Sequence, residues 1–288
     1  MLPLPVFNNA RFKALHLRYK ILSICAVLLN YGAWAGFFFL LTKDTRLSSL
    51  ALGMVAVLHV LTVISSFFHR PLLNTTDWKS ASEDFYPALF SYWKERCAHY
   101  RITSLGVYVL GGTLAEHHQC KNIGIYERLS GKGATLVVNE DFLQLPSLQV
   151  LQALVEHELG HIRAKSWLFK CVVFAGTFFL TALLDMIASS RLSLDNKIMA
   201  KIFAYITKPF EHALFFGSWY VIYQHEELVA DALSACAMGE PQSIAEGIRL
   251  AHVHLLNGAP GPSPRDRCVC THPFPAVRYS SLKKLFEV

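Results

Sequence analysis

Charge is what this sequence has least of. Asp, Glu, Lys and Arg make up only 17% of the 288 residues, while 53% are hydrophobic and the mean hydropathy is +0.32. So little charge beside so much apolar surface excludes a solvated, disordered chain and points to a membrane protein. A basic stripe with interleaved aromatics is missing, and so is zinc-finger spacing. The formal charge of +6 therefore does not imply a nucleic-acid partner. The seven cysteines (Cys25, Cys97, Cys120, Cys171, Cys236, Cys268 and Cys270) are odd in number and scattered. That excludes a disulfide framework and fits a reducing compartment. Cys268 and Cys270 lie close to His272, but two free thiols in a Pro/Gly-rich loop account for them without a metal. No clear small-residue cleavage site follows the first apolar stretch, so it reads as a retained anchor rather than a signal peptide. Internal repeats and low-complexity tracts are absent.

What is present divides the chain by hydropathy. Residues 1–20 are polar and basic, with Arg11, Lys13, Arg18 and Lys20. Residues 21–42 carry no formal charge, and twenty-two residues at helical rise cross the roughly 30 Å hydrocarbon core. Residues 48–68 form a second uncharged stretch, so 21–68 reads as a transmembrane hairpin. Residues 69–166 are water-compatible. Within them 78–100 reads as helical, Gly106–Val109 and Ala134–Val138 as strands, and 148–165 as a helix capped by Ser147. Residues 167–223 read as a second hairpin. Its first arm, 167–188, is apolar, whereas 202–223 contains Lys208, Pro209, Glu211 and His212 and is either a span facing protein or a partly embedded arm. Residues 224–288 return to water with a helix, the Pro/Gly loop 257–264 and a final basic helix. The basic residues before the first span place the N-terminus, and with it the water-compatible segments, on the inner side. The loop 189–201, with Arg191, Lys197 and Lys201, runs against that orientation.

The chemistry sits in Glu156-His157-Glu158-Leu159-Gly160-His161, a His-Glu-x-x-His run. Positions four apart share a helix face, so His157 and His161 can aim at one metal, with Glu158 beside a water on it. Gly160 is read as leaving room next to the metal. Zinc takes three protein ligands and one open position. Downstream, Glu227 and Asp231 are again four apart. Glu227 is the candidate third ligand, and Asp231 a carboxylate that orients a ligand imidazole. Glu226 and His225 compete for the ligand role on other faces of the same helix.

With these residues in place, the chain resembles the HtpX-type membrane zinc metallopeptidases, relatives of the CAAX prenyl proteases in the gluzincin group. The resemblance covers nearly the whole chain and extends to Thr271-His272-Pro273 with Arg278 six residues after the histidine. It implies a mainly α integral membrane protein of α+β type: transmembrane helices joined to a gluzincin-like catalytic domain with a small β-sheet and the His-Glu-x-x-His helix. It implies one zinc ion per chain, and a multi-pass protein of a bacterial-type inner membrane with its active site on the cytoplasmic side. The implied partners are the lipid bilayer and unfolded or membrane protein substrates, in a quality-control role. Lys121-Asn122-Ile123-Gly124-Ile125 stands where the family has its Asn-Ala-Phe-Ala-like stretch and departs from that pattern after Asn122. The strand with Leu136, Val137, Val138 and Asn139 stands at the substrate-binding edge, where an extended peptide would add a strand.

A zinc ion so held supplies Lewis acidity toward water and a scissile carbonyl, and Glu158 carries the proton from water to the leaving amine. His272 and Arg278 are candidate donors to the developing oxyanion. Alternatively His272 is a fourth ligand, or both residues clamp the C-terminal helix. Two other readings remain. A sensor-transducer of the antibiotic-receptor type would need a sensor domain that neither end offers, and a non-catalytic scaffold would not need the full set of ligands and base.

Overall fold

The computed structural model describes residues 7–43, 79–80, 86–111, 123–127, 133–164, 220–255, 273 and 275–286, with isolated helical positions at 46, 49, 53, 57 and 217. The expected spans 48–68, 167–188 and 202–223, the loop 257–264, Asn122, Cys268, Cys270 and His272 lie wholly or almost wholly outside these residues.

Helix α1, Asn9–Thr42, is 34 residues long. It begins inside the basic segment and runs unbroken through the uncharged stretch, so the boundary expected at residue 20 is not a break in the backbone. Among the described residues no helix is long and apolar enough to cross a membrane. For α1 this covers only part of its side chains, because positions 30, 33, 34, 37, 38 and 40–42 are not among those described. By contacts the chain forms two units, one of Met1–Arg18, His69–Ser166 and Gln224–Val288, the other of Tyr19–Phe68 and Trp167–Tyr223.

The first unit holds a four-stranded sheet of β1 (Lys79–Ser80), β2 (Thr103–Leu110), β3 (Ile123–Glu127) and β4 (Gly133–Asn139), in the order β1-β2-β4-β3. Strand β4 runs parallel to β2 and antiparallel to β3. It is buried at six consecutive positions from Gly133 to Val138, the pattern of a strand covered on both faces. This corrects the expected substrate edge. Both hydrogen-bonding edges of β4 are occupied, Leu136, Val137 and Val138 are fully buried, and the outer strand beside it is β3. Asn139 has a different task as well. Its side chain accepts from the backbone N–H groups of Asp141 and Phe142 at 2.8 and 3.2 Å and caps the short helix α3, Glu140–Leu143. Gly106, at φ +146°, takes up the register shift between β2 and β4, a conformation open to glycine.

The segment read as one helix over 78–100 is split. Lys79 and Ser80 pair with β2, and helix α2, Pro87–His99, starts with proline in its first turn, where the missing N–H costs nothing. Helix α4, Leu148–Ala164, starts where Ser147 predicts, with the Val150 N–H 3.4 Å from the Ser147 hydroxyl. Helix α5 covers 220–238, α6 Gln242–Leu255 and α7 Pro275–Phe286. Glu240 caps α6 by accepting from Gln242 N at 2.7 Å. The core joins Trp93 of α2, Val107 and Val109 of β2, Leu136 and Val138 of β4, Leu154 and Leu159 of α4, Ile244 and Ile248 of α6 and Leu285 of α7. Phe7 and Asn8, just before α1, dock on α7, with Asn8 N donating to Leu285 O at 2.8 Å and Phe7 edge-on to Phe286.

Candidate active site and metal centre

Helices α4 and α5 approach closely because the residues between them are small. The Ser234 hydroxyl of α5 donates to the Ala153 carbonyl of α4 at 2.5 Å. A Cβ on Gly160 would lie 2.9 Å from the Ala230 Cα. Gly160 therefore makes room for the backbone of α5, not for the metal as its position in the motif suggests.

That approach sets three donor atoms facing one another. His157 Nε2 is 3.2 Å from His161 Nε2. Glu227 brings its carboxylate to within 3.4 Å of His157 Nε2 and 3.5 Å of His161 Nε2. The ligand atoms of His157, His161 and Glu227 all lie within 4.8 Å of one another, close enough to share one ion. Two imidazole nitrogens and one carboxylate oxygen match the donor set of a catalytic zinc centre. Glu158, the next residue on α4, is half-buried.

Each imidazole turns its other nitrogen to an acid on α5. His157 Nδ1 lies 2.9 Å from Asp231 Oδ1, and His161 Nδ1 lies 2.6 Å from Glu226 Oε1. Asp231 is gripped by Arg278 of α7, whose Nε and one terminal nitrogen donate at 2.7 and 2.5 Å. The other terminal nitrogen of Arg278 is 3.3 Å from Glu227.

Burial opposes a proton on His157, but hydrogen bonding and charge from Asp231 and Glu227 outweigh it and push the imidazole up to about 10. The same negative charge attracts a cation by Coulomb's law. Burial also raises Asp231, yet Arg278 and His157 prevail and hold its carboxyl below the usual range. Burial works against the charge on Arg278, and Asp231, Glu227 and Glu158 more than offset it.

Residues 128–286 match the peptidase family M48. The chain belongs to that family. The M48 match contains every residue of the donor cluster, Glu158 and Arg278. No curated protein matches the sequence. Among solved structures, the crystal structure of S. mikatae Ste24p superposes with a TM-score of 0.55 at 16% identity, over 92% of this chain and 66% of that one. The likeness is one of fold. The M48 chain is thus a metallopeptidase-family member, of the same family as the HtpX-type enzymes it resembles.

Two features of the M48 site lie outside the sequence reading. Glu226, weighed there as a competing ligand, instead faces the outer nitrogen of His161. Glu156, the one charged residue of the motif's apolar flank, is fully buried. It accepts from Arg96 Nε and from the Tyr92 and Tyr100 hydroxyls, the latter two at 3.1 and 2.7 Å. Burial and the Glu156 carboxylate both raise the pKa of these tyrosines. A buried acid directly before the first ligand was the available signal, but its partners lie 56–64 positions away.

Proposed function

We propose that this chain is an integral membrane zinc endopeptidase. The observation that carries this reading is the convergence of His157, His161 and Glu227 beside the half-buried Glu158. Zinc held there would act as a Lewis acid toward water and the scissile carbonyl. Glu158 takes the water proton and passes it to the leaving amine. Asp231 keeps the His157 ring oriented, and Arg278 holds Asp231 in place. Arg278 is largely committed to these carboxylates, which favours a positioning task over that of an oxyanion donor.

The substrate lies extended along β3, an outer strand of the sheet among the described residues, which packs against α4. Main-chain pairing at such an edge reads little sequence and suits unfolded or membrane protein substrates in a quality-control role. Support for the membrane comes from α1, uncharged over 21–42, whose Ile21, Ile24, Leu28, Leu29 and Phe39 are exposed apolar side chains. An exposed apolar ridge of that length is a lipid-facing feature. The active site faces the cytoplasm by the basic bias of Arg11, Lys13, Arg18 and Lys20, at the start of α1 and ahead of its uncharged stretch.

The test is cleavage of an unfolded model protein by the detergent-purified chain with zinc, wild type beside Glu158→Gln. Cleavage by the wild type alone, with zinc still bound to the variant, is the expected result. Equal cleavage by both would overturn the assignment of Glu158.

A further inference from the structure

Glu226 is a buried acid that the proposed reaction leaves without a task. It is fully buried on α5, one residue before Glu227. Its Oε1 is 2.6 Å from His161 Nδ1, the ring nitrogen turned away from the donor cluster, while Nε2 faces His157. The arrangement repeats the one at His157, where Asp231 takes the outer nitrogen at 2.9 Å. Both acids come from α5 and flank the ligand Glu227 in sequence, at one position before and four after.

We propose that Glu226 is a positioning residue for the metal centre, acting through His161. This rests on reading the cluster as a metal site. A carboxylate on Nδ1 keeps the proton on that nitrogen, leaves the Nε2 lone pair for the metal, and fixes the ring plane. Its charge also makes the imidazole a stronger donor. A neutral acceptor would satisfy the same N–H at a smaller desolvation cost, so a buried acid here serves more than a structural hydrogen bond. The two pairs make α5 the source of the third ligand and of both groups that orient the other two.

The experiment uses the full chain in detergent, with zinc alone as the probe. The zinc dissociation constant, from chelator competition, and the zinc release rate are compared for wild type, Glu226→Gln and Glu226→Ala. The thermal midpoints of the metal-free proteins are measured alongside. Glu226→Ala is expected to weaken zinc binding about 10- to 100-fold and to speed its release. Glu226→Gln keeps an oxygen for the Nδ1 proton and should recover part of that loss, with a metal-free midpoint no lower than wild type. Should the alanine variant fail to fold, weaker zinc binding by the near-isosteric glutamine variant alone supports the proposal. Wild-type zinc affinity in both variants would overturn it and leave the metal centre standing. A lowered metal-free midpoint with unchanged zinc affinity would assign Glu226 a structural role only and overturn it too. A wild type that takes up no zinc would remove the metal centre and this proposal together.

Discussion

Gly160 and Ala230 touch backbone to backbone, and the contact sets the distance between the two helices that carry the donor atoms. A Cβ at 160 would meet the Ala230 Cα at 2.9 Å, its carbonyl oxygen at 3.1 Å and its Cβ at 3.2 Å. Two of these three atoms are backbone and cannot swing away.

Gly160→Ala should therefore push α4 from α5. The expected cost is about 1–3 kcal/mol, the range for overpacking a tight contact, together with weaker zinc binding as Glu227 moves off His157 and His161. Ala230→Gly should not rescue it, because the Cα and carbonyl contacts remain. Urea unfolding and chelator competition check both points, and an unchanged midpoint with unchanged zinc affinity would refute the account.

Arg278 is the guanidinium that pairs with Asp231 and Glu227, beside the imidazole of His157. Arg278→Met leaves two buried acids without it and should destabilise the zinc-free chain by about 3–5 kcal/mol. Arg278→Lys should recover little, since an ammonium cannot make the paired bonds to Asp231. Chemical denaturation of the three zinc-free proteins measures this, and near-wild-type stability of the methionine variant would contradict it.

Asp231 also makes stability depend on pH. Its folded pKa is held below the ordinary aspartate value of 3.8 by Arg278 and His157, so the unfolded chain binds the proton more readily. The contribution is complete above about pH 4 and is lost as the pH falls through the folded value. Asp231→Asn removes this dependence. Thermal midpoints of the zinc-free proteins should drop less steeply below pH 4 in the variant than in the wild type.

Arg96 neutralises Glu156, the residue before His157 on α4. Arg96→Leu should cost about 1–3 kcal/mol by leaving a buried carboxylate with only tyrosine hydroxyls, and Tyr100→Phe about 1 kcal/mol. Equilibrium unfolding distinguishes the two. Equal, negligible losses would mean that Glu156 is not anchored as described.

Cys97 of α2 is buried, and burial with the nearby Glu156 charge pushes its thiol up to about 12. Little of it is thiolate at pH 8, and the thiolate is the reactive form. Maleimide labelling followed by peptide mass mapping should modify exposed Cys236 quickly and Cys97 only after unfolding. Comparable rates in the folded chain would show that α2 opens readily.

The His-Glu-x-x-His helix was legible because its signal is local. Four residues of spacing place His157 and His161 on one face whatever surrounds them, and the same period links Glu227 to Asp231. Ser147 marks the start of α4 by the same kind of short-range bond. The strand β4 was legible over 134–138, one residue short of its observed bounds at each end, but its place in the sheet was not. Alternation and β-branching report that a segment pairs, not with which neighbours, and β4 proved to be interior.

By itself, then, the sequence determined the helix period that aligns the ligands, the uncharged stretch within α1 and the residue types able to hold a metal. Tertiary structure alone decided that Glu226 faces His161 across 65 positions, that Arg278 reaches Asp231 across 47, and that Gly160 yields its space to Ala230. The physical reason is one of range. Backbone dihedrals and side-chain periodicity act within a turn or two, whereas a hydrogen bond or backbone contact between distant segments exists only once the packing of the core has brought their elements together.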